Sequence, residues 1–135
     1  MINKVRAPFI FILLYLLLAG CSQVQQNTDL EKSIDSIVTD ENNCEIGVKS
    51  LTSFDWEKAF LFPPYMTEEG MEERVGVQFN DPSNLNRRDD IYLLVFMNDE
   101  KVNQSVEVER HGADFTIGEE EYLTPSEDVI QIEGC

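Results

Sequence analysis

Hydrophobic residues recur at helical spacing in two stretches of this chain. The first is 29–39, whose apolar positions share one helical face: Leu30, Ile34, Ile37 and Val38. The capping-box pattern Thr28–Glu31 marks its beginning. The second stretch follows Thr67, a residue type that caps helices, and ends at Gly76, a residue type common just after a helix. The pattern therefore predicts an N-terminal helix and a short second helix.

Strand-forming patterns fill most of the remaining chain. Short apolar or alternating runs predict strands at 44–48, 59–62, 91–97, 102–109, 113–117 and 129–132. The run Ile91–Met97 is apolar throughout, which predicts a central strand covered on both faces. We expect one α+β domain over residues 28–135. It would consist of a mostly antiparallel sheet of about five strands with both helices packed on one face.

The N-terminal segment carries an export pattern instead of a folding pattern. Lys4 and Arg6 precede an unbroken apolar run over 9–19, well short of the roughly 20 residues that a membrane-spanning helix needs. Leu18–Cys21, with the sequence Leu-Ala-Gly-Cys, then resembles the lipobox of bacterial lipoproteins. In that family a diacylglycerol is attached to the cysteine and the chain is cut just before it. An ordinary secretory signal followed by a chance cysteine is the alternative interpretation.

The lipobox resemblance implies a division of the chain and a location. Residues 1–20 would be the signal peptide, Cys21 the lipidated residue and 21–27 the polar tether. The acyl chains would hold the domain at a membrane without a membrane-binding face of its own. Ser22 differs from the aspartate that retains enteric-type lipoproteins in the inner membrane. The resemblance therefore implies the periplasmic face of the outer membrane, with the outer face of a Gram-positive plasma membrane as the alternative.

Acidic residues dominate the charge of the chain. It has 26 Asp and Glu against 10 Lys and Arg, for a formal charge of −16. Loss of residues 1–20, which hold two of the basic residues and no acid, makes that charge −18. A chain of this charge lacks the basic face that phosphate backbones require. We therefore predict that it has no nucleic-acid partner.

Two cysteines remain beyond Cys21, namely Cys44 and Cys135. An even number of cysteines in an exported protein predicts a disulfide, and an oxidising periplasm favours one. The bond would join the first predicted strand to the last residue of the sequence. Two separate thiols are the alternative.

The segment 53–76 is the most distinctive part of the domain. It contains Phe54–Lys58, with the sequence Phe-Asp-Trp-Glu-Lys, then a short apolar run and Phe62–Tyr65, with the sequence Phe-Pro-Pro-Tyr. Together with the capped helix that follows, this pattern resembles a loose group of small exported bacterial proteins without an assigned function. The resemblance implies a shared fold element rather than an activity.

Two interpretations of this segment are open. In the first, Trp56 and Tyr65 form an aromatic recognition patch beside the rigid residues Pro63 and Pro64, since tryptophan and tyrosine are common contact anchors. In the second, Trp56 and Phe62 belong to the core, and the two prolines form a stiff turn between a strand and a helix.

Arg87 and Arg88 lie together in a polar loop, residues 80–90. On so acidic a chain they are candidates to bind a carboxylate or phosphate of a partner, for which arginine is well suited. The alternative is a local ion pair with one of the acids in the same loop, which are Asp81, Asp89 and Asp90.

The sequence contains no recognisable catalytic or metal-binding motif. His111 is the single histidine and lies in a predicted hairpin turn, with no Gly-x-Ser-x-Gly pattern elsewhere to complete a Ser-His-Asp triad. The acidic runs 40–41, 89–90 and 119–121 lack the spacing of a calcium loop. Phosphate-loop, dinucleotide and zinc spacings are also missing. We therefore predict no metal and no cofactor.

These observations favour a non-enzymatic, lipid-anchored binding or accessory module of the cell envelope. Its partners would be the membrane, through the N-terminal lipid, and an envelope protein. The alternative is a small envelope hydrolase or enzyme subunit, which would need a pair of acids lining a concave pocket. A solute-capture lipoprotein is less favoured, because the mature chain is too small for two lobes.

Overall fold

The structure, a computed structural model, describes residues 24–135. The strands of this part are β1 (Gln25–Gln26), β2 (Glu45–Gly47), β3 (Lys58–Phe62), β4 (Ile91–Asn98), β5 (Lys101–Glu109), β6 (Asp114–Thr116) and β7 (Val129–Glu133). The helices are α1 (Thr28–Val38), the single turn α2 (Val48–Leu51), α3 (Glu68–Val75) and a short 3-10 helix (Leu85–Arg87). The predicted α+β class is confirmed.

The strands form two sheets. The larger has the order β1-β5-β4-β3, in which only the pair β1–β5 is parallel. The smaller is antiparallel and has the order β2-β7-β6. The expected number of about five strands is thus approximate. The short strands β2, β6 and β7 pair with one another and form a second layer.

Strand β4 lies inside the larger sheet, and every residue of Ile91–Met97 is buried, as the apolar run predicts. Successive side chains of a strand point to opposite faces. The side chains on the face toward the smaller sheet and α1 are Tyr92, Leu94 and Phe96, and those on the face toward α3 are Ile91, Leu93, Val95 and Met97. The larger sheet is therefore the middle of three layers.

The two longer helices cover opposite faces of the larger sheet, which differs from the single helical face that we expected. Leu30 and Ile34 of α1 are buried in the same cluster as the smaller sheet. Met71 and Val75 of α3 are buried on the other side. The reason lies in β4: because both of its faces are apolar, each of them needs a cover.

The ends of the helices follow local sequence signals closely. In α3 the hydroxyl of Thr67 accepts the N–H of Gly70 at 3.1 Å, and Gly76 ends the helix with φ 83°, as predicted. In α1 the cap is Asn27, whose side-chain oxygen accepts the N–H of Leu30 at 3.0 Å. This helix therefore begins one residue earlier than the capping-box pattern suggested.

The last three residues of the predicted tether, 21–27, are paired with the larger sheet. Gln25–Gln26 forms β1 and pairs in parallel with Gln104 and Ser105 of β5. Asn27 continues this pairing, since its N–H donates to the carbonyl of Ser105 at 3.0 Å. The physical reason is that an uncovered strand edge offers unpaired backbone groups to any nearby chain. Residues 21–23 lie outside the described part.

Candidate functional site

The turn after β3 presents a tyrosine to solvent in an unusual backbone conformation. Pro63 and Pro64 follow the strand directly, because proline has no N–H for the sheet ladder. Tyr65 then adopts φ 67°, in the left-handed region that residues other than glycine rarely occupy. Its side chain is 60% exposed, which makes it the most exposed large hydrophobic residue between 24 and 135.

A backbone contact joins this turn to the loop that carries the two arginines. The N–H of Tyr65 donates to the carbonyl oxygens of Leu85 and Arg88, at 3.0 and 3.2 Å. Leu85 is fully buried and begins the 3-10 helix that places Arg87 on the surface. Two segments that the sequence singled out separately therefore meet. We name this area the Tyr65–Arg87 surface, and its residues are Pro63, Pro64, Tyr65 and Arg87.

Buried neighbours hold the conformation of Tyr65 on both sides. Phe62 lies in the core cluster beneath α3, and Met66 packs against the same cluster. A left-handed conformation of this kind costs about 1–3 kcal/mol and persists only where its surroundings determine it. Such conformations are concentrated at functional sites. Of the five described non-glycine residues with positive φ, Tyr65 is the one with a large, exposed hydrophobic side chain, which makes it the leading candidate for a contact residue.

Carboxylates of α3 hold the loop beneath this surface in place. Glu68 accepts the N–H of Asp81 at 3.0 Å, and Glu72 accepts the N–H of Phe79 at 3.0 Å. Asp81 in turn accepts the N–H of Leu85 at 2.7 Å. The loop after α3 is thus held by these hydrogen bonds and by the buried side chains of Phe79 and Leu85.

Arg88 forms ion pairs within the domain. Its guanidinium donates two hydrogen bonds to Asp90, at 2.9 and 2.8 Å, and one to Glu107 on β5, at 3.0 Å. The hydrogen bond from Arg88 lowers the pKa of the Asp90 carboxyl. Asp90 is one of the local partners that the sequence offered as an alternative. The prediction that Arg88 binds a partner is therefore corrected. Its guanidinium ties the loop to the larger sheet instead.

Arg87 is the arginine that faces solvent. Within residues 24–135 its guanidinium makes no hydrogen bond or ion pair, and only its backbone N–H is engaged, with Asn84. An exposed guanidinium offers a planar set of donors that matches a carboxylate. Of the two neighbouring arginines, Arg87 is therefore the one available to a partner.

Trp56 is a core residue, which corrects its place in the predicted recognition patch. Its side chain is 6% exposed and stands edge-on to Phe96 of β4, with ring centroids 5.4 Å apart. The indole N–H donates to the hydroxyl of Thr52 at 3.0 Å, so its polar atom is satisfied internally. Phe62 is buried as well. The second interpretation of this segment therefore holds for these two residues.

The cysteine pair that the sequence predicted is joined in the structure. Cys44 and Cys135 form a disulfide, with Cα atoms 5.5 Å apart. The N–H of Ile132 also donates to the carbonyl of Cys44 at 2.9 Å, so pairing between the two strand ends brings the cysteines together. Cys21, the predicted lipidation site, lies outside the described residues. Between residues 24 and 135, no helix is both long and apolar enough to cross a bilayer.

A groove of about 880 Å³ opens between the loop after α3 and the beginning of β5. Val24, the first described residue, forms part of its wall. Its acidic lining residues are Asp81 and Glu100. Both oxygens of the Asp81 carboxylate accept backbone N–H groups of its own loop, from Ser83 and Leu85. That carboxylate thus serves to hold the loop.

The structure also gathers three side chains that the sequence did not connect. His111 lies in the turn after β5, as predicted, and contacts Asp35 of α1 and Glu109 at the end of β5. Asp35 and His111 are 76 positions apart in the sequence. No local motif could have indicated this cluster, although a single histidine in an acidic chain is itself a signal.

Comparison with known proteins found no match: no protein-family model, curated protein or solved structure matches the chain. The resemblances noted for Leu18–Cys21 and for segment 53–76 therefore stay predictions.

Proposed function

We propose that this chain is a lipid-anchored lipoprotein of the cell envelope that acts as a non-enzymatic binding or accessory module. The observation that carries the proposal is Tyr65, an exposed aromatic residue in a left-handed backbone conformation. A glycine would fit that backbone without strain. A large side chain kept there at an energetic cost is best explained by a contact that it makes.

The Tyr65–Arg87 surface has the composition of a protein-binding site. Tyrosine and arginine are enriched among the residues that contribute most to protein interfaces. Pro63 and Pro64 restrict the backbone before Tyr65, and the buried residue Leu85 anchors the loop of Arg87. We therefore propose an envelope protein as the partner. It would offer an apolar pocket to the tyrosine and a carboxylate to the arginine.

The lipid anchor is the second part of the proposal and rests on Leu18–Cys21. An anchor of this kind would place the domain at the periplasmic face of the outer membrane, or at the outer face of a plasma membrane. We expect Cys21→Ser to leave the precursor unprocessed by the lipoprotein pathway and without lipid label. Normal lipid labelling of that variant would exclude the lipobox.

An envelope hydrolase or enzyme subunit is the alternative. It requires two acids that face each other across a cleft and are able to exchange protons with a substrate. The large groove is lined by two acids, Asp81 and Glu100, but hydrogen bonds from Ser83 and Leu85 engage both oxygens of the Asp81 carboxylate. This arrangement supports the binding module over the hydrolase.

Crosslinking in cells tests the proposed surface. The full chain would be expressed in its native envelope, crosslinked, captured and analysed by mass spectrometry, beside the double variant Tyr65→Ala/Arg87→Ala. The matched control is Lys49→Ala/Val129→Ala, which removes one exposed cation and one exposed apolar side chain from the region of the smaller sheet. We expect one envelope protein to be captured by the wild type and by the control, with at least a tenfold loss in the double variant.

Equal thermal midpoints of the two double variants would show that the loss is not caused by unfolding. Equal recovery of the same partner from both variants would exclude the Tyr65–Arg87 surface. Repeated capture of no partner at all would contradict the binding module and favour a search for a small substrate.

A further inference from the structure

Three potential metal ligands converge on the side of the domain where α1 meets the turn between β5 and β6. They are Asp35 near the end of α1, Glu109 at the end of β5 and His111 in the turn. The Nε2 atom of His111 lies 2.5 Å from Oδ1 of Asp35 and 3.4 Å from Oε2 of Glu109. One ligand atom from each residue lies within 4.8 Å of the other two.

The backbone of the turn places the imidazole in this position. His111 and the following Gly112 both have positive φ, 50° and 81°, and the N–H of Ala113 closes the turn on the carbonyl of Arg110 at 2.9 Å. A left-handed histidine is uncommon, and the tight reversal that it allows turns the chain from β5 into β6.

The neighbouring cation is occupied elsewhere. The guanidinium of Arg110 donates to the carbonyls of Ala113 and Asp89 and to the carboxylate of Asp114. Among the described residues, the His111 imidazole is the only group that can form an ion pair with Asp35 or Glu109, and it does so only when it is protonated. The cluster thus combines one nitrogen ligand with two carboxylates and has no built-in lysine or arginine to neutralise them.

We propose that Asp35, Glu109 and His111 bind a divalent transition-metal ion of the zinc class. Zinc is commonly bound by imidazole nitrogen together with carboxylate oxygen, whereas calcium and magnesium prefer ligand sets made of oxygen alone. The histidine therefore sets the selectivity of the site, and the two carboxylates supply the charge that compensates the ion.

Two of the three ligand separations can be compared with those around such an ion. Two ligands that are each about 2.1 Å from a tetrahedral ion lie about 3.4 Å from each other. The His111–Glu109 separation, 3.4 Å, already has this value. Asp35, now 2.5 Å from the imidazole, must retreat by roughly 1 Å. Its side chain is 42% exposed, so it has room to rotate.

Metal binding requires that Nε2 of the imidazole carry no hydrogen. In the hydrogen bond to Asp35 the Nε2 atom of neutral His111 donates its hydrogen, while a metal ion needs the lone pair of that nitrogen. That hydrogen must move to Nδ1, or one proton must leave to solvent if both nitrogens carry one. The side chains are 39–60% exposed, so water can fill the remaining positions around the ion.

Zinc titration of the full chain in detergent, without a polyhistidine tag, tests the site. His111 is then the only imidazole in the sample, so its NMR signals report directly on metal binding. The variants are Asp35→Asn, Glu109→Gln and His111→Asn, the last chosen because asparagine tolerates a left-handed backbone. The matched control is Asp29→Asn, which removes an exposed acid from the same helix. Cys21 is present in every sample, so its contribution cancels in the comparison.

We expect one zinc ion per chain to shift the Nε2 resonance of His111, with at least about tenfold weaker binding in each of the three cluster variants and no change in the control. Three outcomes would overturn the proposal. The first is an equal zinc affinity of His111→Asn and the wild type. The second is a site that does not prefer zinc over calcium and magnesium. The third is a wild type that binds no zinc, together with cluster variants whose thermal midpoints are lowered. The last outcome would assign the cluster to an ion pair between α1 and the turn.

Discussion

Tyr65 is an exposed aromatic residue in a backbone conformation that costs energy. Its backbone has φ 67°, a region that disfavours side chains, and the side chain itself is mostly in solvent. An exposed side chain contributes little packing energy that could offset the strained backbone. The residue is therefore a place where stability and the proposed contact function have opposite requirements.

Replacement by glycine should separate these two requirements. We expect Tyr65→Gly to raise the free energy of unfolding by up to about 1 kcal/mol, because glycine adopts positive φ without strain. Urea denaturation measures this change. The same variant should lose the crosslinked partner of the wild type.

Tyr65→Ala is the matched comparison, because alanine removes the side chain and keeps the backbone strain. It should lose the partner without gaining stability. A large loss of stability in Tyr65→Gly would mean that the tyrosine side chain packs on the domain, and would contradict its assignment as a contact residue.

Among the elements, the loop after α3 depends most on charged side chains. Arg88 pairs with Asp90 beside it and with Glu107 on β5, so it ties the end of the loop to the larger sheet. Because the same loop carries Arg87, these ion pairs also help to position the Tyr65–Arg87 surface. An exposed pair contributes at most about 1 kcal/mol.

The Arg88–Asp90 pair should make the free energy of unfolding depend on pH in the acid range. Its hydrogen bond holds the pKa of Asp90 below the ordinary value of 3.8. The charged carboxylate is thus favoured in the folded chain. The stabilisation is fully present above about pH 4, and it is lost as the pH falls through the lowered pKa of the folded state. We expect Asp90→Asn to be less stable than the wild type at pH 7, with a difference that shrinks toward pH 2.

Asp89→Asn serves as the control for this experiment. Within residues 24–135 the Asp89 side chain makes no ion pair, and its contact with Arg110 uses the backbone carbonyl, which asparagine retains. Urea denaturation across pH should therefore leave this variant parallel to the wild type. An Asp90→Asn deficit that stays constant from pH 7 to pH 2 would show that its cause is not the charge.

For the molecule as a whole, the disulfide is the main covalent constraint on the fold. It joins residues 91 positions apart, next to the pair β2–β7 of the smaller sheet. This sheet has only short strands, and its core face depends on the larger sheet and α1. The bond therefore keeps Cys44 and Cys135 together when the domain unfolds, which restricts the conformations of the unfolded chain.

We expect Cys44→Ser/Cys135→Ser to lower the free energy of unfolding by about 2–5 kcal/mol, since a loop of this length gains much entropy when it opens. Urea denaturation with and without a reducing agent measures the effect. The reductant should lower the stability of the wild type by a similar amount and leave the double variant unchanged. Cys21→Ser is the single-cysteine control, and an equal effect of Cys21→Ser would contradict the assignment of the bond.

Local patterns in the sequence were sufficient for several features. The run Ile91–Met97 predicted a strand buried on both faces, and Thr67 with Gly76 predicted the ends of α3. The odd and even positions of a strand, and the capping groups of a helix, are set by residues close together in the chain. The α+β class and the pairing of Cys44 with Cys135 also followed from such patterns and from cysteine number.

Only the tertiary structure decided which residues meet. It placed Trp56 in the core and Tyr65 on the surface, whereas the sequence left open whether Trp56 was a contact anchor or a core residue. It brought the loop that carries Arg87 to the Tyr65 turn through backbone hydrogen bonds from Tyr65 to Leu85 and Arg88, and it joined His111 to Asp35 across 76 positions. The sequence determined the apolar faces and the ends of the elements, because those depend on neighbours in the chain. The tertiary structure determined which segments cover the two apolar faces of β4 and therefore which loops and side chains come together. That depends on packing between segments far apart in the chain.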